Sequence, residues 1–524
     1  MGTRRFGRTA APVAAAAAIA LMVSSCSGGS SSTDTATDTA TDTTSAAAGG
    51  DLVIGVTSDP DTLLPWTATQ FQAVNVLQTM YGTLTEFDED LNVVPGLAES
   101  WDVSDDGLTV TFHLREGVTF ADGAEFDSAD VVYSLEAIKD EATAAVSAAT
   151  LSAVESVEAT DASTVVLTMA SPDAALFANL AVVNMAMLNS DDSLTDLESA
   201  PNGTGAFAFS ERTPSESLTV VRNDNYWGDP APLDSVEFRV IPDETSIVSA
   251  LQSGNVQLAV FDDPLVAQTA ESDTITITDT PQLSYHVLQL NAAVAPFDDL
   301  NVRLALQCAI DRQEVLDTAA QGEGEITGPI TSPAYKSDPN DRVCPTKDLD
   351  KAKEYLEAAG YGEGELAFDL MVSQGEYSTS VAEAQNVQSQ LAEAGITVNL
   401  DVLESGTYVD RWVAADFGAA IALNGGRPDP DGMYSRYFTS TGNLNKVAGY
   451  SSPELDELFA EGKATSDVET RKEIYTKVSE ELEDNAAWIW LFTSYSYTAT
   501  AEGVTGFVPM ANGSMQYLRT TALG

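Results

Sequence analysis

An α/β protein of two lobes is the fold class this sequence predicts, and three observations carry it. Helices that stop at a glycine and hand over to a strand recur in the second half: Ser380 to Ala394 ends at Gly395, and Ile396 to Leu403 follows as a strand. That is the rhythm of strands covered by helices. Short alternating strands appear earlier, with Leu108, Val110, Phe112 and Leu114 interleaved with Thr109, Thr111 and His113. Length is the third observation. The 499 residues left after a 25-residue leader exceed the roughly 250–300 at which one core stops growing.

The leader is read from the N-terminus. Arg4, Arg5 and Arg8 make a basic region, and Ala10 to Val23 an apolar run of 14 residues. A spanning helix needs about 20 apolar residues, so this is a signal peptide over 1–25 and not a transmembrane segment. Arg4-Arg5 raises the twin-arginine route, but Phe6-Gly7-Arg8 fits that signal poorly, and general secretion is expected. Leu21-Met22-Val23-Ser24-Ser25-Cys26 looks like a bacterial lipobox, in which the cysteine is lipidated and becomes the first mature residue. A diacyl anchor at Cys26 supplies the more than one chain that stable attachment needs. Residues 26–50 continue as a Ser/Thr/Asp/Ala/Gly tether with almost no large apolar side chain, too polar to offset its own ordering entropy. Its root-mean-square span is roughly 27 Å.

The body follows in order. Asp51 to Val56 reads as a short buried strand. The strand through His113 turns that histidine towards solvent or a neighbouring strand. Asp127 to Ile138 reads as a helix, Leu218 to Arg222 and Ser235 to Ile241 as strands, and Asp243 to Ser253 as a helix stopped by Gly254. Asn301 to Asp317 is expected to be one amphipathic helix with Leu304 and Cys308 on its buried face. Asp348 to Ala359 is another, ending at Gly360. Pro453 starts a late helix, and a capping box at Ser466-x-x-Glu469 starts the last, with Val468, Tyr475, Val478 and Leu482 as its stripe.

Net charge is −56, from 24 basic and 80 acidic side chains, and all of it lies in the body because three arginines and three aspartates cancel in the first 50 residues. A nucleic-acid binder needs a basic footprint, so that class is disfavoured. Adhesion to an anionic membrane surface is disfavoured likewise. A solvated acidic surface is the simplest reading; attraction of cationic solutes, screened by salt, is the sharper one. Apart from Cys26, Cys308 and Cys344 remain, an even pair that an oxidising compartment allows to form a disulfide, or else two separate buried thiols. Two histidines, His113 and His286, leave little for metal sites or histidine-based catalysis, and neither His-Glu-x-x-His nor Gly-x-Ser-x-Gly occurs. No cofactor or metal is expected, and an enzyme is not.

Val94-Pro95-Gly96-Leu97-Ala98-Glu99-Ser100-Trp101, then Ser104-Asp105-Asp106-Gly107 through Gly117-Val118-Thr119-Phe120, Asp122-Gly123 and Phe126 to Val131, closely resemble the signature of the extracellular solute-binding proteins of family 5, the peptide/nickel group serving ABC importers. Further matches occur in order at Asn202 to Phe207, Arg222-Asn223 through Tyr226-Trp227-Gly228, Phe238 to Asp243, Ala250 to Gly254, Pro296 to Arg312 and Gly449 to Asp456. Most of these residues read as scaffold: Gly107 and Gly117 as turn formers, Trp101 and Trp227 as packed core. The resemblance implies a periplasmic-binding-protein type II-like fold with an enlarged N-terminal lobe and a ligand cleft between lobes. It places lobe I at 51–290 plus 495–524 and lobe II at 291–494, with crossings near Leu288 to Ala292 and Trp490 to Tyr497. It further implies a lipid-anchored monomer outside the cytoplasm that delivers solute, foremost oligopeptide, to a permease and ATPase by hinge closure.

In peptide-binding members an aspartate holds the peptide ammonium group. The loop that carries it resembles Ala422 to Asp431 here, and anchoring on Asp429-Pro430 puts the family's aspartate at or near Gly426. That departure weakens the case for a free peptide N-terminus and leaves Asp429 or Asp431 as substitutes by a loop shift. Asn424, Gly425, Gly426, Arg427 and Asp429 are therefore candidate binding residues. Arg427 suits either a ligand carboxylate or a salt bridge between lobes. Trp66, Tyr285, His286, Tyr408 and Trp412 are candidate walls of the cleft. A non-peptide solute, a secreted hydrolase and a sensor using the same fold are the competing functions.

Overall fold

The computed structural model describes residues 49–524. The signal segment, Cys26 and the tether up to residue 48 lie outside the described residues. Among the described residues no helix is long and apolar enough to cross a membrane.

Two large sheets organise the body. The first has seven strands in the order Ile275–Pro281, Tyr495–Ala501, Leu258–Phe261, Asp51–Val56, Ser235–Val240, Ser217–Arg222 and Phe207–Thr213. Asp51–Val56 is central because it is apolar on both faces and pairs in parallel with a strand on each side. Helices Glu244–Gln252 and Pro264–Ala270 cover one face through Ile247, Leu251 and Ala267. The lobe is enlarged by a four-stranded antiparallel sheet, Ala98–Val103, Thr109–Leu114, Thr164–Met169 and Val154–Asp161. Helix Ser128–Lys139 backs it and opens on a capping box between Asp127 and Asp130. Gly107 and Gly117 take positive φ, +69° and +75°, in the turns of this region. Trp101 stacks on Phe177 at 5.2 Å, and Arg115 lies 4.5 Å from the Trp227 ring centroid. His113 meets Asp102 on the neighbouring strand at 2.9 Å.

The second sheet has six strands, Glu325–Ile326, Trp488–Thr493, Tyr285–Leu290, Ala419–Asn424, Ala367–Gln374 and Thr397–Glu404. One face packs on helices Leu300–Ala309, Leu349–Ala358 and Ser380–Glu393. The other packs on Pro430–Phe438, Pro453–Ala464 and Val468–Asp484. Cys308 and Cys344 are joined, with Cα atoms 5.0 Å apart.

Three expectations need correction. The amphipathic stretch from Asn301 to Asp317 is two helices, Leu300–Ala309 and Arg312–Ala319, because the Asp311 side chain caps the second by accepting from the amides of Gln313 and Glu314. The last helix is capped by Asp467, which accepts from the Thr470 amide, and not by Ser466. The first crossing between lobes lies earlier than Leu288 to Ala292. Tyr285–Leu290 is buried at every position and pairs with strands of the second sheet on both sides, so the chain changes sheet between Pro281 and Tyr285 and returns at Ser494. The two crossing segments bond to each other. The Gln282 amide donates to the Ser494 carbonyl at 3.0 Å, and the Thr493 hydroxyl lies 2.6 Å from the carbonyls of Gln282 and Ser284. A two-stranded, cross-linked connection lets two rigid lobes turn about one place.

Candidate functional site

Strand alternation decides which candidates share a surface. Tyr285, Val287 and Gln289 point to one side of the strand, and His286, Leu288 and Leu290 to the other. Tyr285 stands opposite Asn424 in the register, and the Asn424 amide donates to its hydroxyl at 3.2 Å. Gln289 donates to Asn424 Oδ1 at 3.3 Å and accepts from the Trp412 indole at 2.7 Å. Trp412 meets Tyr437 edge to face, with centroids 6.4 Å apart. Tyr285, Asn424, Gln289, Trp412 and Tyr437 are thus linked beneath helix Pro430–Phe438, where four of them are buried and only Trp412 is half-exposed. Burial raises the pKa of Tyr285, so it remains a neutral hydroxyl at physiological pH.

The loop after Asn424 runs along the place where the lobes meet. Gly426 touches the crossing segment so closely that a Cβ there would stand 1.8 Å from the Leu283 carbonyl oxygen. Leu283 in turn packs among Phe87, Leu91, Ala178 and Met510 of the first lobe. Gly426, at or near the position expected to match the family's ammonium-binding aspartate, therefore has no room for a side chain on this backbone. Gly425 is the opposite case, with open space where a Cβ would stand. Arg427 is exposed and forms no ion pair, among the described residues, with either lobe, so the expected alternative of a lobe–lobe salt bridge is not what this structure shows.

Four candidates are structural instead. Trp66 is fully buried in the first lobe and donates to the Ala186 carbonyl at 2.8 Å. Tyr408 is buried and donates to the Ile421 carbonyl at 2.7 Å, tying the helix that carries Trp412 to the sheet. Asp429 caps helix Pro430–Phe438 and holds Arg471 in a buried two-pronged pair, at 2.7 and 3.2 Å. With both oxygens engaged it has nothing left for a solute. His286 faces the core on the far side of the strand, stacked on Phe492 at 4.1 Å, with Nδ1 2.8 Å from Glu383 and Nε2 3.0 Å from the Ser494 hydroxyl. That spacing matches a serine–histidine–carboxylate relay, but the histidine is 3% exposed and the serine is the return crossing itself.

Asp431 is buried where the lobes touch. One oxygen lies 3.4 Å from Lys463 and the other has no partner. The neighbouring Lys463 carbonyl accepts from the Ala174 amide of the first lobe at 2.9 Å. Burial pushes the Asp431 carboxyl up to about 6, with Asp429 and Asp173 adding and Lys463 opposing. Among the described residues no cluster of three or more His, Cys, Asp or Glu suits a metal ion. A cavity of about 60 Å³ lies inside the first lobe beside Tyr81, Glu86, Tyr226 and Arg519, away from the network and loop described above.

Gln289, Tyr437 and Arg436 were not among the expected residues. A polar Gln289 in the otherwise apolar strand Val287-Leu288-Gln289-Leu290 was a usable signal, and so was Arg436 among Met433, Tyr434, Tyr437 and Phe438.

Two lobes joined by a doubled connection, with an exposed loop at Gly425 and Arg427 beside it, mark a solute-binding protein of the hinged type. The chain belongs to the bacterial extracellular solute-binding proteins, family 5, whose model matches residues 92–445. Members bind small solutes or peptides outside the cytoplasm and deliver them to an ABC permease. The chain is 29% identical over 465 residues to heme-binding protein A of Haemophilus influenzae, covering 82% of this chain and 84% of that one. It is 28% identical over 494 residues to the glutathione-binding protein GsiB of Pectobacterium atrosepticum, covering 88% and 92%. The solved structure of HbpA2 from Haemophilus parasuis superposes with a TM-score of 0.83 at 25% identity, over 91% of this chain and all of that one.

Proposed function

We propose that this protein is the receptor of an ABC importer for peptide-like solutes, and that lipid at Cys26 and the tether after it keep it at the outer face of the membrane. It acts as a monomer and catalyses nothing. The observation that carries the ligand class is the loop beside the crossing, where exposed Gly425 and Arg427 and half-buried Trp412 are backed by the buried network of Gln289, Asn424 and Tyr285. An indole, open backbone at a glycine and a guanidinium suit the apolar, amide and carboxylate groups of a short peptide. Support comes from the relative that binds glutathione, itself a tripeptide. Closure about the Gln282–Ser494 and Thr493 links buries the solute and presents the permease with a different shape. Ser494, His286 and Glu383 serve that hinge and not hydrolysis.

Thermal-shift screening against peptides of two to eight residues, oligosaccharides and metal complexes tests the ligand class. A ligand at 100 times its Kd adds about 2.7 kcal/mol of stability. A panel in which a sugar raises the melting temperature and no peptide does would overturn it. Metabolic labelling with a fatty acid tests the anchor: label should be lost on Cys26→Ser, and label that persists removes the lipidation reading.

A further inference from the structure

Guanidinium groups in this chain are outnumbered by carboxylates, with 80 acids against 24 bases, and nearly all of them find a partner. Of the twelve arginines in the described residues, seven pair with carboxylates and three donate to backbone carbonyls. Arg427 and Arg436 alone do neither among the described residues. They also share one helix face: a Cβ at Gly432 would stand 3.3 Å from Arg427 Cδ, and Arg436 follows Gly432 by one turn of helix Pro430–Phe438. Arg436 lies with its guanidinium 4.7 Å from the Tyr437 ring centroid, and its Nε is buried without a hydrogen-bond partner. Arg427 projects from the loop one residue after Gly426. Two like charges on one helix face oppose each other, and a carboxylate shared between them reverses that term.

We propose that Arg427 and Arg436 form a carboxylate clamp beside the crossing segment that Gly426 touches, so that the preferred solutes are anionic and are gripped by an acid group and not by an ammonium group. This rests on the solute-binding reading above. The fork of a guanidinium matches a carboxylate in two-pronged fashion. The neighbouring Gly426 removes the family's ammonium partner, so the polarity of recognition is reversed at the same place. The Tyr437 ring, 4.7 Å from the Arg436 guanidinium, restrains that side chain at little entropic cost.

The test is a binding titration of the full chain with four probes: trialanine, its C-terminal amide, glutathione and citrate. Trialanine or glutathione should bind at least about tenfold more tightly than the amide. Arg427→Ala and Arg436→Ala should each abolish that preference, with retention of the fold checked by a cooperative melting transition. Arg436→Lys should restore part of it. Acid and amide bound alike, or a preference that survives both alanine variants, overturns the clamp and leaves the peptide reading standing. Arginine-dependent binding of citrate without any peptide keeps the clamp and removes the peptide reading. Silence from all four probes overturns both.

Discussion

His286 Nδ1 lies 2.8 Å from Glu383 Oε1, with both side chains closed off from solvent. Glu383 also accepts from the hydroxyls of Thr379 and Tyr377, and His286 reaches on to Ser494 at the return crossing. The pair therefore joins helix Ser380–Glu393 to the hinge. Removing the carboxylate strands three donors inside the protein. Glu383→Ala should lower stability by about 3 kcal/mol, read from the denaturant midpoint. Ser494→Ala should cost much less and change no peptide-hydrolysis rate; a hydrolytic rate lost with Ser494 would make the trio a catalytic relay.

Asp431 sets a pH dependence. Its carboxyl titrates near 6 in the folded protein and near 4 when unfolded. Folding therefore takes up a proton between about pH 4 and 6, and this group's contribution to stability falls as pH rises through that window. Asp431→Asn should be more stable than the parent at pH 7 by on the order of 2 kcal/mol, with the difference vanishing by pH 4. Melting curves of both proteins across that range check it; a constant gap would mean that Asp431 is ionised throughout.

The Cys308–Cys344 link closes a loop of 36 residues. The chain-entropy treatment assigns such a loop about 3–4 kcal/mol. The Cys308→Ser, Cys344→Ser double variant should unfold at correspondingly lower denaturant, and added reductant should shift the parent but not the variant.

Gly426 predicts indifference to the amino end of a peptide. N-acetylation of a bound peptide should change its affinity by less than about threefold, since no carboxylate faces it at this position. Gly426→Asp should lower stability, because its Cβ collides with Leu283, without improving affinity for free amino termini. A large loss on acetylation would point to an ammonium partner elsewhere in the cleft.

Much of the fold was legible because its signals are local. Alternation in Thr109–Leu114, the cap at Asp127 and the proline start at Pro453 depend on residues within a few positions of each other. The misplaced breaks are local too, but there two rules competed. At Asp311 a side-chain cap prevailed over an unbroken apolar stripe, and at Asp467 one capping residue displaced its neighbour. Of the expected site residues, Gly425 and Arg427 are exposed on the loop, Gly426 lies against the crossing and Trp412 is half-buried, while Tyr285, Asn424, Trp66, Tyr408, His286 and Asp429 are buried.

The sequence by itself determined the α/β class, the two-lobed family and the departure at Gly426, because composition, periodicity and ordered motifs need no knowledge of partners in space. Tertiary structure alone decided which polar groups are free. Asn424 and Tyr285 meet across 139 residues of chain, and Asp429 finds Arg471 across 42. A charge is spent or available according to what packs against it, and packing between distant segments is settled only when the whole chain folds.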